Sequence, residues 1–432
     1  MAHHTRRGIA LAASIGIVTA LAACTSGNSG GGGSGGSTAA ANVPGVTSTT
    51  VTVGSHQPLT GPAAPGYSEI SPATNAYFQY VNAHGGVNGR KIVYKVMDDG
   101  YNPATTITDV HQLVQQDKVF AILNGLGTPT HTGVLPFLND NKVPDLFVAS
   151  GSTTWNQPTK FPYTFGYQTD YTVEGKILGS YIKQNFAGKK VCFFGQGDDF
   201  GADELAGVKL TLGASGVANA QTYVVTNQNV APQIGALKGA GCQVVVAATI
   251  PGFTALSLGT SAQLGFHPQW IVSNVGADYA TVEGLLKGAP LLEGVITDGY
   301  LPAASDTSNP WIQLFQMINQ QYNKGAAWDG NTEYGMSVGY LFVQALQAAG
   351  KNPTRQSILD AIQKNGFTGP GIVPLGFSAT SHSGYTGVQI AKITGKTTTL
   401  IGTPFTTDDS SGPVTPYNGT SGSVPPNGIP QG

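Results

Sequence analysis

The chain has 432 residues, with 21 Lys and Arg against 23 Asp and Glu, a formal net charge of −2 and only 10% charged side chains. No basic face dense enough to follow a phosphate backbone is present, so no nucleic-acid partner is expected. Eight scattered histidines without a His-x-x-x-His pair, and three cysteines without zinc-type spacing, give no expectation of a metal or a cofactor.

The first segment, "MAHHTRR", carries Arg6 and Arg7 and precedes the uncharged run "GIALAASIGIVTALAA". A basic start, a short apolar stretch and small residues predict a signal peptide over 1–23. The run is too short and alanine-rich for a membrane span. Leu21-Ala22-Ala23-Cys24 resembles the lipobox of bacterial lipoproteins, which implies lipidation of Cys24 and a palmitate-type anchor. The alternative is a plain secretory signal with an incidental cysteine. Arg6-Arg7 leaves general or twin-arginine export open. Residues 24–48 are Gly/Ser-rich at their start and read as a flexible tether.

About 355 residues remain as folded chain, more than one hydrophobic core usually covers, so two lobes are expected. "TVTVGS" (50–55) predicts a strand, and a helix follows over about 71–82. "KIVYKVMDD" (91–99) is the next strand. Ile107, Val110 and Val114 fall on one helical face. "VFAIL" (119–123), a helix near 130–140 and "DLFVA" (145–149) complete a repeated βαβ rhythm, which predicts a parallel sheet covered by helices. After Tyr167 the rhythm restarts. A helix carries Val173, Ile177 and Tyr181, and strands follow at 190–195, 221–225, 243–249 and 269–273. A third block has a strand within 293–300, helices at 309–323, 332–349 and 354–365, and a strand within 384–393. The tail 403–432 is poor in apolar residues and reads as disordered. The expected class is α/β, with two doubly wound parallel-sheet lobes between which the chain passes more than once.

In open parallel sheets ligands sit beyond the carboxyl ends of the strands. The loops there are "SHQPLTGPAAPGY", "NGLGTPTH", "SGSTTW", "QGDDFG", "TIPGF" and "NVGADY". They are rich in Gly, Ser and Thr with interspersed aromatics. Hydroxyls and free N–H groups at helix starts suit a carboxylate or another small polar group. Thr128, Thr130, Ser152 and Thr153 also read as ordinary helix caps, and Trp155, Phe200 and Phe253 as packing residues.

These stretches, with "NAHGGVNGRKI", "DDFGADELAGVK" and "NTEYGMSVGYLFVQAL", resemble the leucine/isoleucine/valine-binding and amide-binding branch of the ABC-importer solute-binding proteins, from about Thr50 to Ile393. The resemblance implies a type I periplasmic-binding-protein fold whose lobes are joined by three hinge crossovers and close on a ligand. The lobes are then 49–168 plus 300–372, and 169–299 plus 373–402. It implies that Thr128 and Ser152 hold a ligand carboxylate, that Ala149 and Ser150 border a carbonyl for its ammonium, and that Phe200 closes from the second lobe. Ile250 and Pro251 fall near a further aromatic position of the family, which is missing here unless Phe253 takes its place. The amino-acid binders carry a carboxylate just after the strand equivalent to 269–273. Here Asn274 stands there, with Asp278, Asp198 or Asp199 as candidate replacements. The resemblance implies a small hydrophobic or branched-chain amino acid or related carboxylate as the solute. An enclosed ammonium without a counter-charge is costly, so the missing carboxylate points to the alternative of a ligand without an α-ammonium, an aromatic acid or amide.

An enzyme is not expected. "GQGDDFG" lacks dinucleotide-fingerprint spacing, "GASG" is not a nucleophile elbow, and His131 reads as a capping or packing residue. The expected partners are a small-molecule solute, the permease and ATPase subunits of an ABC importer, and the membrane through a lipid anchor. The chain is then an extracytoplasmic monomer at the outer face of the cell membrane, with a ligand sensor as the rival role. Cys192 opens one strand and Cys242 precedes another. Those strands are neighbours in the usual doubly wound order, so a disulfide is predicted, with two buried thiols as the alternative.

Overall fold

The computed structural model describes residues 43–431 apart from Asn365. The expected signal peptide 1–23, Cys24 with its lipidation, and residues 24–42 of the expected tether lie outside the described residues. Residues 43–48, read above as tether, fold back onto the first strand. Val46 bridges to Val51, Thr52 N donates to Gly45 O at 2.7 Å, and Val43 and Val46 pack on the core. Two valines around a Pro-Gly turn supply the apolar surface that the Gly/Ser tract lacks.

The first lobe is built from β1 (Thr50–Gln57), α1 (Ala64–Tyr67), α2 (Ile70–Ala83), β2 (Lys91–Asp98), α3 (Pro103–His111), β3 (Ile122–Leu123), α4 (Thr128–Thr132), α5 (Leu135–Asp140), β4 (Asp145–Val148) and β5 (Thr164–Gly166). Its strands are parallel in the order β2-β1-β3-β4-β5. The helix expected near 130–140 is two pieces, because Pro129 and Pro136 each stand in a first turn and lack the N–H that a continuous helix would require. β5 has three residues, too few to show a period.

The second lobe follows with α6 (Tyr171–Asn185), β6 (Val191–Gln196), α7 (Asp199–Leu212), β7 (Val217–Tyr223), α8 (Ala231–Gly239), β8 (Val244–Ala248), α9 (Pro251–Gln263), β9 (Gln269–Val272), α10 (Tyr279–Leu285) and β10 (Ile296–Gly299). These strands repeat the pattern in the parallel order β7-β6-β8-β9-β10. β8 reads "VVVAA" and is buried throughout, as a strand covered on both faces requires. The chain then returns to the first lobe as α11 (Pro310–Tyr322), α12 (Gly330–Ala348) and α13 (Arg355–Gln363), with α11 and α12 packed on α2. Tyr77 of α2 meets the ring edges of Phe315 and Tyr340 there. It re-enters the second sheet as the antiparallel strands β11 (Gly387–Thr394), β12 (Thr397–Leu400), β13 (Phe405–Thr406) and β14 (Thr415–Pro416). Among the described residues the strands thus form sheets of five and nine.

Cys192 and Cys242 are joined by a disulfide between neighbouring β6 and the start of β8. It lies at the amino ends of those strands, away from the loops that face the other lobe.

The tail departs from expectation. Residues 403–431 follow a folded path instead of a disordered one. β13 and β14 extend the second sheet, and Asp408 pairs with Lys176 of α6 at 2.7 Å. The chain then crosses to the first lobe, where Gly422 O accepts from Trp311 Nε1 (2.6 Å), Asn427 O from Tyr80 Oη (2.6 Å) and Gly428 O from Tyr77 Oη (2.8 Å). Val414, Tyr417, Val424 and Ile429 pack against the core. Sparse apolar residues suffice here because the partners are buried hydroxyl, indole and ammonium groups of the body, which would otherwise lack acceptors. The tail adds a fourth connection between the lobes, beside those at 167–170, 300–309 and 364–386. Truncation after Thr403 is therefore expected to lower the melting temperature by about 5 °C or more. Calorimetry of the truncated and full chains checks this, and equal melting temperatures would refute the strap's contribution.

Candidate functional site

In each sheet the strand order reverses between one pair of neighbouring parallel strands, β1/β3 and β6/β8, so the following loops part there. The two parted edges face each other across a cavity of about 350 Å³. Its wall draws on both lobes: Tyr67, Tyr101, Thr128 and Ala149 from the first, Phe200, Ile250 and Asn274 from the second, and Tyr300 and Tyr334 from the returning chain.

Thr128 sits at the first position of α4. Gly127 before it has φ +107°, and a Cβ there would strike Tyr101 and Thr130, so glycine is required for the loop to turn into the helix. Thr128 Oγ1 lies 2.7 Å from Ser150 Oγ, and the Tyr171 hydroxyl reaches both. Thr128 and Ala149 line the cavity, while Ser150 stands behind Thr128. The Ala149 carbonyl already accepts from Gly127 N at 3.1 Å. Ser152 does not line the cavity: its Oγ accepts from Thr154 N at 3.2 Å, capping residues 153–155, and the hydroxyl reaches Asp203. The carboxylate role expected for Ser152 is therefore unavailable in this geometry. Phe200 lines the cavity and packs on Tyr171 at 4.4 Å, both brought there from the second lobe. Phe253 does not replace the missing aromatic, since it stacks on Tyr223 at 4.0 Å outside the cavity while Ile250 takes the wall.

Asn274 and Asp278 both line the cavity, with their polar groups already engaged. Asn274 N donates to Glu174 Oε1 (3.0 Å) and Asn274 Nδ2 to Asp298 Oδ1 (2.9 Å). Behind Asn274, Glu174 lies within hydrogen-bonding reach of both Asp298 and Glu204. α6 and α7 touch backbone to backbone through Gly175 and Gly207, which is what brings Glu174 and Glu204 together. Burial pushes all three carboxyls up, and carboxyl groups this close must share protons. Buried carboxyls thus stand one layer behind position 274 instead of at it.

Closure is explicit in cross-lobe hydrogen bonds. Tyr67 Oη donates to Val275 O (2.7 Å), Gly330 N to Asp278 Oδ2 (3.0 Å), Asn331 Nδ2 to Thr281 Oγ1 (3.2 Å) and Thr153 N to Asp203 Oδ2 (3.0 Å). Each contributes about 0.5–1.5 kcal/mol, more where the acceptor is charged. Under the first-lobe loops runs a buried relay. Asp99 Oδ2 meets His56 Nδ1 (2.8 Å), His56 Nε2 meets His131 Nδ1 (2.9 Å) and His131 Nε2 meets Asp145 Oδ2 (2.8 Å). The relay ties β1, α4 and β4 together and does not line the cavity, so His131 is a scaffold residue.

The sequence reasoning missed the tyrosines, Gln168, Thr297 and the acids Asp298, Asp329 and Glu333 on the cavity wall. Glu333 and Tyr334 lie within "NTEYGMSVGYLFVQAL", one of the stretches that carry the family resemblance, but no loop-based rule points to them.

A model of the periplasmic binding protein family matches residues 50–398. The chain belongs to that family. A "Leu/Ile/Val-binding protein homolog 3" from Brucella melitensis is 23% identical over 205 residues, 45% of this chain and 53% of the relative, so the match spans about half the relative's length. A fatty acid ABC transporter substrate-binding protein from Thermomonospora curvata superposes with a TM-score of 0.75 at 22% identity, over 87% of this chain and 98% of that one. A branched-chain amino acid ABC transporter from Thermus thermophilus with bound valine gives 0.74 at 22%, over 84% and 97%. Likeness at this identity concerns the fold, which is that of a binding protein. The family model stops at residue 398, so the strap 403–431 lies beyond the matched part.

One hinge group makes a pH dependence legible. Asp170 caps α6 in the first crossover, accepting from Thr172 N at 2.7 Å, and burial together with Asp409 raises it to about 8. The folded chain holds this proton, whereas the unfolded chain releases it above about pH 4. Asp170 therefore withdraws stability as pH rises from about 4 to 8, and adds no further change above that. Asp170→Asn keeps the cap and removes the titration. Its melting temperature is expected to gain on the parent's from pH 5 to pH 8 and then run parallel, which calorimetry at four pH values reads. A constant offset would refute it.

Proposed function

We propose that this periplasmic binding protein captures a small, largely apolar solute outside the cytoplasm and delivers it to the permease and ATPase of an ABC importer. The observation that carries the reading is the cavity of about 350 Å³ walled by both lobes and rich in tyrosine. An amino acid with a hydrophobic side chain, or a related carboxylate, matches that volume and surface. Its carboxylate faces the Thr128 end, with Gln168, whose buried amide nitrogen has no partner, as a second donor. The lipid at Cys24 would hold the protein at the outer face of the membrane. A solute touching both lobes favours closure by its differential affinity for the closed state.

The test is a thermal-shift series with branched-chain amino acids, aromatic acids, fatty acids and small amides. A solute at 100 times its Kd adds about 2.7 kcal/mol, a rise of several degrees. No rise for any class would overturn the reading. Thr128→Ala is expected to weaken binding about tenfold, the loss of one hydroxyl contact. Thr128→Ser should recover most of it in the same titration, and unchanged affinity in Thr128→Ala would remove Thr128 from the site.

A further inference from the structure

The cavity wall carries four carboxyl groups, Asp278, Asp298, Asp329 and Glu333, and one cation, Lys396, which is exposed. Three of the four acids have donors within the protein. Asp278 accepts from Thr281 N (2.8 Å) and Gly330 N (3.0 Å), Asp329 from Thr332 N (2.8 Å), and Asp298 from Asn274 Nδ2 (2.9 Å). Glu333 differs. It stands in the first turn of α12, is 2% exposed, and its Oε1 is buried without any hydrogen-bond partner. Among the described residues no group donates to its carboxyl. A lone buried carboxyl is costly and persists where something absent from the protein completes it.

The surroundings select what that is. Burial, with Asp278 and Asp329 close by, pushes the Glu333 carboxyl well up, so an anion enclosed beside this cluster would be disfavoured. A protonated nitrogen placed there would favour the ionised forms of all three groups and be held by them. Tyr67, Tyr300 and Tyr334 stand on the same wall, and aromatic rings beside a site favour a cation over an anion. The geometry points to Glu333 as the specificity-determining residue that receives a protonated amine of the solute, so that the cleft prefers an ammonium-bearing molecule to the carboxylate of the same skeleton. This inference rests on the solute-binding reading above and narrows its ligand class. The counter-charge comes from α12 of the first lobe instead of from the loop after β9, where Asn274 stands. Simple amines and amino acids share this chemistry.

The experiment is titration calorimetry on the full chain with two matched sets. One is leucine, 3-methylbutylamine and 4-methylpentanoate, and the other is phenylalanine, phenethylamine and 3-phenylpropanoate. In at least one set the ammonium-bearing members are expected to bind tenfold or more tighter than the carboxylate, and Glu333→Gln to weaken them at least tenfold. An amine matching its amino acid identifies simple amines as the source, whereas a tighter amino acid identifies the zwitterion. The wild-type comparison stands even if Glu333→Gln does not fold. Carboxylates binding as tightly as their amines, or Glu333→Gln within threefold of the parent, overturns the assignment and leaves the solute-binding reading intact. Silence from every member of both sets overturns the assignment, and the broader thermal-shift series then decides the solute reading separately.

Discussion

Parallel strands within a sheet all end on the same edge, and the site depends on that constraint. Each lobe gathers the loops after its strands on one edge, and strand order parts them between β1 and β3 or between β6 and β8. Two such edges apposed across the crossovers enclose a space whose lining comes from many separate segments of chain. Thr128, Phe200 and Tyr334 are far apart in sequence and meet because of this alone.

The closed arrangement is held by a few directional bonds. Tyr67 to Val275, Gly330 to Asp278 and Thr153 to Asp203 cross the gap, and each acceptor would be met by water in an opened form. Their net contribution is therefore modest, which leaves room for a solute to decide between the two states. The carboxyl groups around the cavity act in the other direction. Burial holds Glu174, Glu204 and Asp298 in proton-sharing contact behind Asn274, while Glu333 stands without a donor at the wall.

On the outside, residues 403–431 tie the same two lobes. β13 and β14 fasten them to the second sheet, and Gly422, Asn427 and Gly428 fasten them to α11 and α2. A tether of this kind limits how far the lobes can separate. It lies outside the part of the chain that the family model covers.

Much of the fold was legible in the sequence. Alternating short apolar runs and helical periods located β1, β2, β6, β8 and β9 and helices α2, α11 and α12 within a few residues, because burial on both faces of a parallel strand and one face of a helix leaves a periodic trace. The cysteines at the starts of two strands foretold their pairing once those strands were neighbours. β5, β13 and β14 left no trace, being two or three residues long and held by the sheet they join. Thr128, Ala149, Phe200, Asn274 and Asp278 were visible as residues in loops at strand ends. Ser152 was visible by the same logic but points to Asp203, since spacing places a residue in a loop without orienting its side chain. Composition misjudged the tail, which folds by supplying acceptors to buried groups of the body. Only tertiary structure decided Glu333, Glu174 and the tyrosine wall, because an acid without a partner is defined by what surrounds it, and those surroundings come from every part of the chain.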